Sequence, residues 1–138
     1  MYQTGIHQAL NQYRDAGARA EASDANPHRL IQMLFEGALE RIAVARGAMQ
    51  QGDKAVKGER ISRAIDIVEG LRAHLDMEKG GDVAANLESL YEYMARRLME
   101  ANLRDDVAAL DEVANLLREV KAGWDAIPEQ LAAEAGRG

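Results

Sequence analysis

From residue 26 onward the apolar residues recur at alternating steps of three and four. Leu30 or Ile31, Leu34, Ala38, Ile42, Ala45 and Met49 form the first such row, and rows of this kind lie on one side of an α-helix. Asn26 precedes the row as a strong N-cap, and Pro27 suits the first helical position. Gly52 stands where a C′ glycine ends a helix, and Asp53 can cap the next one. A second row, Ile61, Ile65, Val68, Leu71 and Leu75, predicts a helix that ends at Gly80-Gly81. Asp82 then caps a third row of Val83, Leu87, Leu90, Met94, Leu98 and Ala101, and Asn102-Leu103-Arg104 reads as a turn. Asp105 or Asp106 caps the last row, Val107, Leu110, Val113, Leu117, Val120, Trp124 and Ile127, which stops near Pro128.

Ahead of these rows, Tyr2, Ile6, Ala9, Leu10 and Tyr13 share one stripe and predict a short amphipathic helix. A lone helix below ~15 residues is marginal in water, so this one needs a surface to lie on. The stretch GARAEASDA that follows is small and polar, as in a linker. The chain therefore divides into an N-terminal segment and linker (1–25), a helical body (26–128) and a frayed tail (129–138). Turns of about two to four residues make successive helices of roughly 20 to 25 residues antiparallel neighbours. The expected fold is all-α: an antiparallel up-down-up-down four-helix bundle with a short N-terminal helix.

Composition agrees with long helices. The only two prolines, Pro27 and Pro128, bracket the body, and no proline interrupts the rows between them. Ala, Leu, Glu and Arg abound, whereas the β-branched residues are sparse. The formal net charge of -6 opposes binding to nucleic acid. No apolar run approaches the ~20 residues of a membrane span, and the N-terminus has no signal-peptide pattern. A cytoplasmic protein is expected, with no nucleic-acid partner and no membrane insertion.

Candidate chemistry is thin. Bundles that hold two iron ions carry Glu-x-x-His on two helices, but Thr4, Ala25 and Leu71 stand three positions before His7, His28 and His74. There is no cysteine for haem attachment or an iron–sulfur cluster. Gly80-Gly81 lacks the Lys-Ser/Thr of a phosphate loop. No cofactor, metal or catalytic residue is assigned. His74 ahead of Lys79-Gly80 is similar to the phosphotransfer histidine of signalling bundles. There only two residues separate His from Lys, and here four do, which turns the pair to different faces.

The chain has more apolar residues than its rows require: Met33, Phe35, Ile67, Tyr91, Tyr93, Met99 and Leu116 stand beside them. Some widen the core stripe. Others would form a groove of the kind that accepts a partner's amphipathic helix. The N-terminal helix would lie in such a groove as a placeholder, through Ile6 and Leu10, until a partner displaces it.

Several segments together resemble one family. Residues Asn26 to Ala38, NPHRLIQMLFEGA, are similar to the S-P-x-x-L-I-x-M-L-F/Y-D/E-G-A signature of the FliS flagellar export chaperones. Gln51-Gly52-Asp53 with Lys57-Gly58-Glu59 resembles the family's next turn. Residues Leu75 to Leu98, LDMEKGGDVAANLESLYEYMARRL, resemble its L-x-x-E-K/Q-G-G-E-I-A-x-N-L-x-x-L-Y-x-Y-M-x-R-R-L, and Ala101-Asn102-Leu103 continues it. Asn26 replaces the usual Ser, and Asp82-Val83 replaces Glu-Ile. The resemblance implies a non-enzymatic, cytosolic chaperone of flagellin. It would bind flagellin's disordered C-terminal segment in apolar grooves, block premature polymerisation and assist delivery to the export gate. The expected contact residues are Leu30, Met33, Leu34, Ile67, Leu71, Tyr91 and Met94, with Leu34, Leu71 and Met94 equally suited to the core. The expected state is a monomer or weak dimer. The alternative is a regulatory or phosphotransfer bundle with another partner.

Overall fold

The computed structural model describes residues 26–128. They form four helices, α1 (Pro27–Gln51), α2 (Lys54–Ala73), α3 (Met77–Arg104) and α4 (Val107–Asp125), with no strand among the described residues. The expected N-terminal helix, with Ile6 and Leu10 expected as placeholders, and the expected tail fall on residues outside them.

Polar side chains start each helix. The Asn26 carboxamide accepts from the Arg29 N–H at 2.8 Å, and Pro27 occupies the first turn. Asp53 caps α2 through the Val56 N–H, and Asp106 caps α4 through the Ala109 N–H. Gly52 ends α1 at φ 75°, a left-handed conformation that a side chain would strain. Between α3 and α4 the expected turn moves by two residues. Asn102, Leu103 and Arg104 remain helical, and Asp105 is the left-handed residue at φ 50°, ψ 47°. A buried cation stabilises this longer end: Lys57 on α2, 7% exposed, donates to the Asn102 carbonyl at 2.9 Å and to the Asp105 carboxylate at 2.5 Å.

The α2–α3 junction departs further from expectation. The second helix stops at Ala73, not at Gly80-Gly81, and Leu75 falls in the connection. Asp76 is the reason, because its carboxylate accepts from the Glu78 and Lys79 N–H groups and starts a new turn. That turn is separated from the rest of α3 by Gly81, at φ 53°, ψ -130°. The neighbouring Gly80 packs so closely that a Cβ there would come within 2.6 Å of the Ala84 methyl.

Each helix packs on its neighbours in chain order, and α1 packs on α4. At one end of the bundle Gln32 of α1 donates to Asp125 of α4 at 2.8 Å, and further along Arg46 pairs with Asp111 at 2.8 Å. Thus the start of α1 meets the end of α4. The end of α2 likewise meets the early part of α3 through Arg72 and Glu88, while Lys57 joins the start of α2 to the end of α3. Inside the ring the side chains of Leu34, Phe35, Ile42, Ile61, Ile67, Met94, Leu98, Leu110 and Leu117 are fully buried. On the α3–α4 seam Glu112 accepts from the Tyr93 hydroxyl at 2.5 Å and from Arg97 Nε at 2.8 Å. These two bonds hold the Glu112 carboxyl below its ordinary pKa.

Candidate functional site

The core does not close at the end where α1 and α3 begin and α2 and α4 finish. The rows reach that end without meeting, and a cavity of about 670 Å³ opens between them. Pro27, Leu30 and Ile31 line it from α1, Leu71 from α2, Val83, Leu87 and Tyr91 from α3, and Val120, Trp124 and Ile127 from α4. Its floor is Phe35, Leu71 and Tyr91, all nearly inaccessible, whereas Val83 at the mouth is 68% exposed. Burial pushes the Tyr91 phenol above its ordinary pKa, so the ring enters the floor as a neutral group. Among the described residues the only carboxylates on the lining are Asp76 and Glu119.

One wall is held rigid by a reciprocal clasp. The Trp124 indole N–H donates to the His28 carbonyl at 3.0 Å, and His28 Nε2–H donates to the Trp124 carbonyl at 3.0 Å. The two rings stack, with centroids 5.2 Å apart. The opposite wall is the short turn of α3 before Gly81, with Asp76 and Gly80 at the lip.

The structure separates the residues expected to contact a partner into two groups. Leu30, Leu71 and Tyr91 come together on the groove lining. Met33, Leu34, Ile67 and Met94 are 4%, 1%, 1% and 0% exposed and are packed inside the protein, away from the lining. Globular helices bury a stripe wider than one row, and these four occupy that width. Sequence reasoning placed Val83, Leu87, Val120, Trp124 and Ile127 on core rows. They are the ends of those rows, where facing helices have too little bulk to meet. A usable signal was present: in an antiparallel bundle the starts of the first and third rows and the ends of the second and fourth share one end.

Among the described residues no three His, Cys, Asp or Glu side chains gather to hold a metal ion. His74, the phosphotransfer candidate, is the C-cap of α2 and its Nδ1–H donates to the Gly70 carbonyl at 3.0 Å. No helix among the described residues is long and apolar enough to cross a membrane.

The family model described as "FliS: Flagellar protein FliS" matches residues 9–131. The chain belongs to the FliS family. It is 56% identical over 119 residues to the flagellar secretion chaperone FliSB of Pseudomonas aeruginosa, covering 86% of this chain and 94% of the relative. It is 43% identical over 132 residues to the flagellar secretion chaperone FliS of Vibrio cholerae, with 93% and 97% covered. The flagellar secretion chaperone FliS of Salmonella typhimurium is 43% identical over 129 residues, with 93% and 96% covered. In this FliS-family chain the matched region contains all four described helices and every described residue of the groove lining.

Proposed function

We propose that this FliS-family chain is a cytosolic, non-enzymatic export chaperone that binds the disordered C-terminal segment of flagellin. The segment folds into an amphipathic helix as it enters the groove, which keeps it from polymerising and presents it to the flagellar export gate. The observation that supports this reading is the open apolar groove itself. A soluble protein leaves a large apolar surface uncovered where a partner will cover it, and helix-in-groove recognition needs just such a row of pockets. On this reading Leu30, Leu71 and Tyr91 contact the segment directly. Met33, Leu34, Ile67 and Met94 act beneath them by holding the floor in place. The body is an up-down-up-down bundle, and residues 1–25, through Ile6 and Leu10, act as a placeholder in the groove.

Coupled folding fits the task. Ordering a disordered segment costs typically about 2–5 kcal/mol of the gross interaction energy, which keeps the complex reversible for a chaperone that must release its cargo. The test is a titration with a synthetic flagellin C-terminal peptide. Helix content should rise beyond the sum of the parts by circular dichroism. Trp124, the single tryptophan, should report the binding by fluorescence. Absence of both signals at micromolar concentrations refutes the proposal.

A further inference from the structure

Of the three floor residues, Tyr91 alone carries a polar side-chain atom. Val83, Leu87 and Tyr91 descend the groove along one stripe of α3, from Val83 at the mouth to Tyr91, which is 3% exposed. The ends of this stripe are two turns apart, about 12 Å along the helix axis. At the deep end the Tyr91 ring packs into the core cluster. Its hydroxyl makes no hydrogen bond to any described residue, and burial alone raises its pKa. Tyr93, two positions on, shows the contrast: its hydroxyl donates to Glu112, and that bond is the largest cause of its raised pKa. The Tyr91 hydroxyl is not a sealed atom either, so it faces the cavity.

The other polar side chains on the described lining are committed elsewhere or lie at the rim. The Trp124 N–H donates to the His28 carbonyl, and His74 bonds the Gly70 carbonyl. Asp76 accepts from the first turn of α3, and Glu119 is exposed. The floor thus offers an incoming helix a single hydrogen-bonding group among apolar side chains. While the groove is open, that hydroxyl is within reach of solvent. A wholly apolar helix face pressed over it would strip it of water and give it no partner in return.

We propose that the Tyr91 hydroxyl selects cargo whose apolar helix face carries one uncharged polar side chain, a hydroxyl or a carboxamide, where that face reaches the floor. This rests on the groove being the site that binds the flagellin segment. A phenol both donates and accepts, so either kind of group satisfies it. A carboxylate or an ammonium at the same position would be desolvated among apolar side chains and is rejected. A purely aliphatic row is disfavoured too, because a site that offers a buried hydrogen bond discriminates against a guest that cannot make it. The walls then supply affinity, and the floor supplies choice.

The test is a double-mutant cycle between Tyr91→Phe and the synthetic flagellin C-terminal peptide, read by calorimetric titration. Each Ser, Thr, Asn and Gln of the peptide is replaced in turn by an apolar residue of similar size. With the wild-type protein, one replacement should weaken binding about tenfold, the scale of stranding one buried polar group. Tyr91→Phe should bind the parent peptide about tenfold more weakly for the same reason. Combined, the two changes should restore binding, since neither partner is then left unpaired. The urea midpoint of Tyr91→Phe should equal or exceed that of wild type, because no hydrogen bond of the free protein is removed. A merely structural hydroxyl would lower that midpoint, and a clear fall overturns the proposal. Absence of coupling at every peptide position, or unchanged affinity of Tyr91→Phe for the parent peptide, overturns it as well and leaves the groove as the binding site. Failure of the wild-type protein to bind the parent peptide overturns both.

Discussion

Met94 stands in the middle of α3 at 0% exposure, in contact with the main core cluster. Its sequence context allowed both a core role and a role in partner contact, and the structure places it wholly inside. Met94→Ala removes three heavy atoms from that site. At about 0.8 kcal/mol per buried methylene-sized group the lost transfer energy is roughly 2.4 kcal/mol. The cavity term, at about 24 cal/mol per Å³ of space that does not collapse, brings the total to about 3–4 kcal/mol. For a domain of about 100 residues, each kcal/mol shifts Tm by about 4–8 °C, so a fall of about 12–30 °C is expected. Thermal and urea unfolding followed by helical circular dichroism measure the loss. Peptide affinity, measured at a temperature where the variant remains folded, should change little, because Met94 is not on the groove lining. A Tm within about 3 °C of the parent, combined with a tenfold weaker peptide complex, would refute the placement and with it the division between floor and lining.

At the mouth of the groove the balance reverses: Val83→Asp should leave stability within about 0.5 kcal/mol, as for most exposed substitutions, yet weaken peptide binding at least tenfold in calorimetric titration. Lys57→Met removes the donor to the Asn102 carbonyl and the Asp105 carboxylate, and should cost about 1.5–3 kcal/mol in urea unfolding at neutral pH. The Lys57 hydrogen bond holds the Asp105 carboxyl below its ordinary value of 3.8. A lowered folded-state pKa stabilises the fold above the unfolded value and loses that contribution as pH falls through the folded one. The Tm difference between wild type and Lys57→Met should therefore narrow as pH drops below 3.8, and a constant difference would contradict the assignment. Gly81→Ala places a Cβ at φ 53°, ψ -130° and should cost about 1–3 kcal/mol. Hydrogen exchange should show the turn Met77–Gly80 opening more readily, while exchange at the α1–α4 seam stays unchanged.

The helices and most of their boundaries were legible along the chain, because the information that sets them is local. An Asn-Pro start, a glycine in left-handed conformation and an Asp before each new row act over three or four residues, and Asn26, Gly52, Asp53 and Asp106 take the positions read for them. Two boundaries were not legible. Asp76 competes with Asp82 as a cap, and nothing local says that it wins. The end of α3 depends on Lys57, which arrives from a helix 45 residues away.

The site divides along the same line. That apolar residues exceed what one seam needs is a property of the chain, and the family signature covers the α1 and α3 parts of the groove lining but not those from α2 and α4. Which of those residues lie beneath the surface and which line the opening depends on how helix ends converge. Met94 and Tyr91 are one turn apart on α3 and both buried, yet only Tyr91 borders the cavity. Periodicity assigns a residue to a face of a helix. Whether that face meets a neighbour or a gap depends on the volumes of side chains brought from three other helices, and that is settled only when the chain packs.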